Sequence, residues 1–104
     1  MAEDDRTIQL RRYRIVAGEL DAFVSWWREL VIPARTAHGF SVEFAYAVPE
    51  TNEFVWAVSV AGDRDAFRAI DERYASSPER AAAFAGQPRR IDTATLTLVE
   101  PVGA

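Results

Sequence analysis

Four short stretches of the chain have the composition and spacing of strands, and in the second and third of them apolar residues recur with a period of two. The stretches are residues 7–16, 40–48, 53–61 and 92–99. In the first stretch polar residues fall on both parities, so neither of its faces is cleanly apolar. In the second stretch the bulky side chains share one parity, so we expect one bulky face and one small or polar face. Those side chains are Phe40, Val42, Phe44, Tyr46 and Val48.

Residues 18–38 show a different period and predict the longest helix of the chain. Their apolar residues recur three and four positions apart, which places them in one stripe along a helix. Pro33 should kink this helix or break its last turn, because proline has no backbone N–H, and Gly39 should end it. The stripe comprises Leu20, Phe23, Val24, Trp27, Leu30, Val31 and Ala34.

Two shorter helices are predicted after the third strand. Asp63 is a suitable N-cap for a helix that reaches about Tyr74. Ser77 followed by Pro78 combines an N-cap with a proline at the first helical position, and so predicts a second helix over residues 79–85.

The order of elements is therefore strand, helix, strand, strand, helix, helix, strand, which is the split βαβ or ferredoxin-like plan. We expect an α+β fold, with a four-stranded antiparallel sheet and helices on one face. A single domain should span residues 7–100, preceded by a disordered lead-in at residues 1–6 and followed by a short tail at residues 101–104.

Helices can cover only one face of such a sheet. The second and third strands also carry small, mainly apolar residues opposite their bulky faces, and a sheet with little polar surface on either side needs a second cover. The simplest cover is another copy related by a two-fold axis, so we expect a homodimer through the sheet face. The alternative is a monomer with one moderately apolar face. The small residues are Ala45, Ala47, Val55 and Ala57.

The residue inventory of the 104-residue chain excludes much chemistry. It has no Cys, one His and, among its 12 basic residues, no Lys. Thiolate nucleophiles, thiolate zinc sites, Schiff bases and His-rich metal sites are therefore excluded within one chain. We expect neither a bound metal nor an organic cofactor.

Charge and hydropathy restrict the partners. The net charge of −4 disfavours nucleic acid, whose affinity comes mainly from cations that neutralise phosphates. No apolar run is long enough for a membrane span. The acidic, polar start lacks the pattern of a signal peptide, so we expect a cytoplasmic protein.

Three polar residues are candidates for catalysis. Arg11 and Tyr13 share one parity of the first strand, where an Arg can hold an anionic or enolate oxygen and a phenol can give it a proton. The alternative is an Arg paired with a carboxylate such as Glu43, beside a Tyr that closes the core. His38 is the only group with an ordinary pKa near neutrality, and its alternative role is that of a half-exposed residue at a helix end.

Aromatic residues could line a pocket between helix and sheet. Trp27, Trp56 and Phe23 are the candidates for ligand binding, and their alternative role is core packing. Trp26, at the edge of the helical stripe, could be a dimer contact or the lip of the pocket. Three carboxylates have no recognised ligand spacing, and we expect them to be solvated: Glu43, Glu53 and Asp92.

Several of these features occur in the order typical of the NIPSNAP family, in the dimeric α+β barrel superfamily, and the chain resembles that family over about residues 8–99. The family pattern has an Arg-Tyr strand, a Gly before the helix, an aromatic at mid-helix, a Gly before the second strand and a Trp in the third. The residues that match these features are Arg11-Arg12-Tyr13, Gly18, Trp26-Trp27, His38-Gly39-Phe40 and Trp56. The family pattern also has an Arg at the start of the next helix and then a Pro-led segment that ends in an aromatic, which Arg64 and residues 77–84 match.

This resemblance implies a fold and a dimer more than one activity. Related barrels include cofactor-free monooxygenases, polyketide cyclases, isomerases and haem enzymes, and many relatives bind a ligand between sheet and helices. Two hypotheses follow. The first is a cofactor-free enzyme that transfers a proton to, or oxygenates, an apolar or aromatic compound through Tyr13, Arg11 and His38. The second is a non-catalytic dimer that binds a small molecule or a partner.

Overall fold

The computed structural model describes residues 5–103, and in this part of the chain four strands form one antiparallel sheet. The strands are β1 (Arg6–Ile15), β2 (Ser41–Val48), β3 (Glu53–Ala61) and β4 (Ile91–Val99). Their order across the sheet is β2-β3-β1-β4. This order is that of the ferredoxin-like plan, so the predicted fold class is confirmed.

The first strand begins earlier than predicted. Arg6 already pairs with Ala61, and the backbone N–H of Gly62 donates to the carbonyl of Asp5 at 2.8 Å. The predicted lead-in over residues 1–6 is therefore wrong at its last two residues. Residues 1–4 of that lead-in, and residue 104 of the predicted tail, lie outside the described residues.

The helices lie together on one face of the sheet. The smallest dimension of the molecule is 19 Å, which is the thickness expected for one layer of helices packed on one sheet. None of the helices between residues 5 and 103 has the length and apolarity needed to cross a membrane. The helical elements are α1 (Leu20–Trp26), a π-helical turn (Trp27–Val31), α2 (Ile32–Thr36), α3 (Arg64–Ala75) and α4 (Pro78–Phe84).

The π-helical turn replaces the break predicted at Pro33. The backbone N–H of Ile32 donates to the carbonyl of Trp27, five residues earlier. Pro33 has no N–H to donate, and in a regular helix its ring would crowd the carbonyl four residues before it. The wide turn directly precedes Pro33, and the backbone then stays helical to Thr36. Of the two effects expected of Pro33, a kink or a break of the last turn, the break is therefore wrong, and the helix is instead distorted one turn earlier.

A bulge in β2 overturns the predicted bulky face of that strand. Val42 pairs with Val58 and Phe44 with its neighbour Ala57, so one extra residue of β2 is inserted at Glu43. An extra residue reverses which face the following side chains occupy. Phe44 and Tyr46 consequently lie on the face away from the helices, with 39% and 66% of their surface exposed. Ala45 and Ala47, predicted for that outer face, lie on the helix side instead.

The core between sheet and helices is built mainly of aromatic rings in edge-to-face contact. The ring centroids of Phe23 and Phe54 are 5.1 Å apart, those of Trp27 and Phe54 are 4.8 Å apart, and those of Trp27 and Trp56 are 5.1 Å apart. Edge-to-face pairs place the positive rim of one ring against the negative face of another, which adds to the gain from burial. Trp27, Trp56 and Phe23 are all buried and take part in this packing, which is the role given above as the alternative to ligand binding.

The start of α3 offers a test of the local account. The carboxylate of Asp63 accepts from the backbone N–H of Ala66 at 3.0 Å, as an N-cap does. Asp63→Ala should lower the free energy of unfolding by about 1 kcal/mol. Asp65→Ala is the matched control, because Asp65 is exposed and makes only a surface pair with Arg68, so its loss should cost less than about 0.5 kcal/mol. Urea denaturation measures both, and equal losses would contradict the capping role.

Candidate functional site

A cavity of about 120 Å³ lies between the helices and the sheet. For scale, an engineered apolar cavity of about 150 Å³ binds benzene. Next to it, a larger depression beside residues 87–91 shares the side chains of Trp26, Phe84 and Ile91 with the cavity. Most of the cavity wall is aromatic, with the rings of Tyr13, Phe23, Trp26, Trp27, Trp56 and Tyr74 among its lining.

The π-helical turn explains which residues of the long helical stretch reach this cavity. Arg35 lies twelve residues after Phe23, and a regular helix would rotate it by about 120° away from Phe23. The wide turn absorbs about one residue of this advance, and so reduces the difference to about 20°. Phe23, Trp27, Val31 and Arg35 accordingly all line the cavity. The same turn leaves Leu30, predicted in the apolar stripe, 40% exposed.

Arg35 is the buried charge of the site, with only 6% of its surface exposed. Its guanidinium carbon lies 4.5 Å from the ring centroid of Tyr74, 4.8 Å from that of Phe40 and 5.4 Å from that of Trp56. Burial lowers the pKa of Arg35, and the nearby charge of Arg11 lowers it further. Because a guanidinium keeps its proton in proteins, Arg35 remains a cation held among aromatic faces.

Arg11 and Tyr13 lie on the helix side of β1 and form one unit. The Nε of Arg11 donates to the hydroxyl oxygen of Tyr13 at 2.6 Å, and its Nη1 donates to Gln9 at 2.6 Å. The guanidinium also lies 5.7 Å from the ring centroid of Trp56. The expected alternative partner of Arg11, Glu43, instead accepts hydrogen bonds from Arg6 and Ser59 on the outer face.

Four buried N–H donors of the site have no hydrogen-bond acceptor among the described residues. They belong to three cavity-lining side chains, and are Trp27 Nε1, Trp56 Nε1, Arg35 Nε and Arg35 Nη1. The closest carboxylate to Arg35 is that of Asp71, half-exposed and 4.0 Å from Nη1, which is too long for a hydrogen bond. Such a group of unpaired donors is costly in an empty cavity.

Trp26, in the same cavity wall, has an indole N–H that does have a hydrogen-bond acceptor. Its Nε1 donates to the carbonyl of Ala83 at 2.8 Å, a buried bond that joins α1 to α4. Its ring packs edge-to-face on Phe84 with 4.9 Å between centroids. Trp26 is therefore buried, and it lines both the cavity and the more open depression next to it, where a lip residue would lie.

His38 lies apart from Arg11 and Tyr13 and is not in the cavity lining. Its Nε2 is 2.8 Å from a carboxylate oxygen of Glu79, in a partly exposed pair, and this hydrogen bond lowers the pKa of Glu79. The structure thus unites two of the three predicted catalytic residues and separates the third. It also brings together all three predicted ligand-binding residues, Phe23, Trp27 and Trp56.

Of the carboxylates expected to be solvated, Glu43 and Glu53 are instead partly buried, and none of the three lies on the cavity. Glu53 accepts a hydrogen bond from Thr51 and pairs with Arg12, and Asp92 is exposed. Within residues 5–103 no three His, Cys, Asp or Glu side chains come together as metal ligands. The lining of the cavity contains three Arg side chains and no carboxylate or imidazole among the described residues.

Sequence reasoning missed Arg35 and found its neighbours. On a regular helical wheel Arg35 falls outside the apolar stripe, and charged residues there are normally solvated. The one signal available was Pro33, two residues before Arg35. A proline inside a strong helical period indicates a local change of helix geometry, which would have shifted the wheel by one residue.

No protein-family model matches the sequence, and a search of curated proteins also finds no match. Solved structures do match. An uncharacterized NIPSNAP domain protein from Burkholderia xenovorans superposes with a TM-score of 0.79 at 18% identity, covering 92% of this chain and 94% of that one. A NIPSNAP family protein from Agrobacterium tumefaciens superposes with a TM-score of 0.81 at 14% identity, covering 93% of each. The chain has the NIPSNAP fold.

This fold extends to proteins of other names. A protein from Bacteroides thetaiotaomicron, provisionally named an antibiotic biosynthesis monooxygenase, superposes with a TM-score of 0.69 at 18% identity. The match covers 95% of this chain and 91% of that one. The predicted NIPSNAP-like, ferredoxin-like architecture is therefore confirmed.

The indole N–H of Trp26 has a hydrogen-bond acceptor and that of Trp27 has none, and this difference predicts how the two side chains contribute to stability. Trp26→Phe removes a buried hydrogen bond and leaves the carbonyl of Ala83 unpaired, whereas Trp27→Phe removes a donor that has no acceptor. Trp26→Phe should therefore be more destabilising than Trp27→Phe by about 1–2 kcal/mol. Urea unfolding of both variants without ligand measures the difference, and equal losses would contradict this assignment of donors.

Proposed function

We propose that this protein is a cofactor-independent enzyme that binds a small aromatic or apolar carbonyl compound in the cavity and transfers a proton to its oxygen from Tyr13. The single observation that carries this proposal is the hydroxyl of Tyr13, located on the cavity and held by Arg11. Its oxygen accepts from Arg11, and its own proton has no acceptor among the hydrogen bonds of residues 5–103. That proton is available to a ligand.

The proposed step is an enolisation. The Tyr13 proton moves to the carbonyl oxygen of the ligand, a water molecule takes a proton from the carbon next to the carbonyl, and an enol forms. The phenolate left on Tyr13 is stabilised by the guanidinium of Arg11, 2.6 Å away through Nε. The step then reverses, or the enol leaves, and Tyr13 regains its proton from solvent.

A second function, binding without catalysis, is favoured by one observation. The cavity lining contains no carboxylate or imidazole that could act as a base among the described residues. His38, the one imidazole of the chain, is paired with Glu79 outside the cavity. In this case the protein is a ligand sensor or carrier, and Tyr13 contributes a hydrogen bond to the bound oxygen alone.

We also propose a homodimer through the outer face of the sheet. This face presents Phe44 and Tyr46 beside the partly exposed Leu10 and Val55, and the helices cannot cover it. Association about a two-fold axis covers the same face in both copies with one set of contacts. The proposed occupant is therefore a second copy of this chain.

Hydrogen exchange on acetophenone separates the two functions. If Tyr13 transfers protons, the protein should accelerate exchange at the methyl group of acetophenone in D2O, and Tyr13→Phe should slow it by about 100-fold. The affinity for acetophenone should fall by no more than about 10-fold, because the aromatic ring is kept and only one hydrogen bond is lost. Proton NMR follows both quantities. Binding with no acceleration over buffer would refute catalysis and support the second function.

Chain mass in solution tests the dimer. The unmodified chain should run at twice 11.6 kDa by light scattering, and Phe44→Lys together with Tyr46→Lys should give the monomer, because charges would be buried in the interface. Leu96→Lys is the matched control. Leu96 is 48% exposed but pairs with Arg11, and so lies on the helix side of β4. A monomeric unmodified chain, or dissociation by the control, would contradict this interface.

A further inference from the structure

We infer that the cavity is an oxyanion site centred on Arg35, and that among the carbonyl compounds proposed above it prefers those with a negative charge on oxygen, a planar carboxylate or enolate on an aromatic or apolar body. This inference rests on the proposed function, since it concerns the same cavity, and it specifies the chemical class of the ligand. It is carried by the unpaired donors of Arg35, Trp27 and Trp56.

The donor set is one-sided. The four unsatisfied atoms are all N–H groups, and two of them belong to a cation. A neutral carbonyl can accept from two of them, whereas a carboxylate or enolate has the lone pairs and the charge to accept from more. Because the donors are buried, a hydrogen bond to an anion gains more there than at the surface.

The charge around the cavity points the same way. Three Arg side chains line it, namely Arg11, Arg35 and Arg80, and no carboxylate does so among the described residues. The guanidinium carbons of Arg11 and Arg35 both lie near Trp56, at 5.7 Å and 5.4 Å from its ring centroid respectively. Two neighbouring cations repel each other, and an anion between them removes this repulsion.

The aromatic lining determines the rest of the ligand. The rings of Phe23, Trp26 and Trp27 come from the helices, and those of Tyr13 and Trp56 from the sheet. A flat apolar body packs well between such rings. The volume of about 120 Å³ limits the part enclosed to about one six-membered ring with its head group, while a longer body would extend toward residues 87–91.

Benzoate and nitrobenzene test this inference, because they have nearly the same shape and differ in charge. Titration calorimetry should show benzoate binding at least 10-fold more tightly than nitrobenzene. Arg35→Met should abolish this preference while nitrobenzene still binds. Arg28→Met is the matched control, since it removes a charge from an exposed site on the same helical stretch, and it should keep the preference.

If the Arg35→Met variant does not fold, the affinities of Trp56→Phe for the two compounds provide a second test. This substitution removes one donor and keeps a ring, so it should weaken benzoate by at least 5-fold and leave nitrobenzene nearly unchanged. Equal affinities of the unmodified protein for both compounds would overturn the oxyanion site and leave the proposed function standing. Binding of neither compound, nor of acetophenone, would overturn both. An equal loss of preference in Arg28→Met would also overturn the site, because the effect would then come from overall charge.

Discussion

A buried cation whose nearest carboxylate, that of Asp71, is 4.0 Å away and accepts no hydrogen bond from it is the constraint on which the rest of this site depends. Arg35 lies among the rings of Phe40, Trp56 and Tyr74, whose negative faces attract its charge. Cation–π contacts compensate the charge but do not accept its N–H groups in hydrogen bonds. The site thus contains N–H groups that have no acceptor, and a ligand that supplies acceptors forms hydrogen bonds with them that favour its binding.

The backbone makes this placement possible through one irregular turn. The π-helical turn Trp27–Val31 brings the residues before and after Pro33 onto one side of the helical stretch. Without it, Arg35 would be rotated toward solvent and the cavity would lose its buried charge. A second irregularity, the bulge at Glu43, has the opposite consequence for the sheet, since it turns Phe44 and Tyr46 away from the core. One extra residue in each element thus brings Arg35 to the cavity and turns two aromatic side chains to the outer face of the sheet.

These two irregularities also mark the limit of what the sequence could predict. The element order, the caps at Asp63 and Ser77 and the aromatic lining follow from local patterns, and the structure agrees with them. Periodicity assumes an unbroken count along each element, so a single inserted residue reverses the strand faces and shifts the helical stripe. Arg35 was missed for this reason. The sequence favours His38 through its ordinary pKa alone, and only the fold shows that it pairs with Glu79 and packs behind Tyr74, outside the cavity lining.

The central claim, that the cavity receives an anion through its unpaired donors, can be observed directly at the three indole groups of the protein. Nitrogen-15 NMR resolves one side-chain signal for each Trp, and the Trp→Phe variants assign them. On addition of benzoate, the N–H signals of Trp27 and Trp56 should move downfield as they acquire an acceptor, while that of Trp26, already bonded to Ala83, should show no such downfield shift. Unmoved signals of Trp27 and Trp56 in the presence of saturating benzoate would contradict the account.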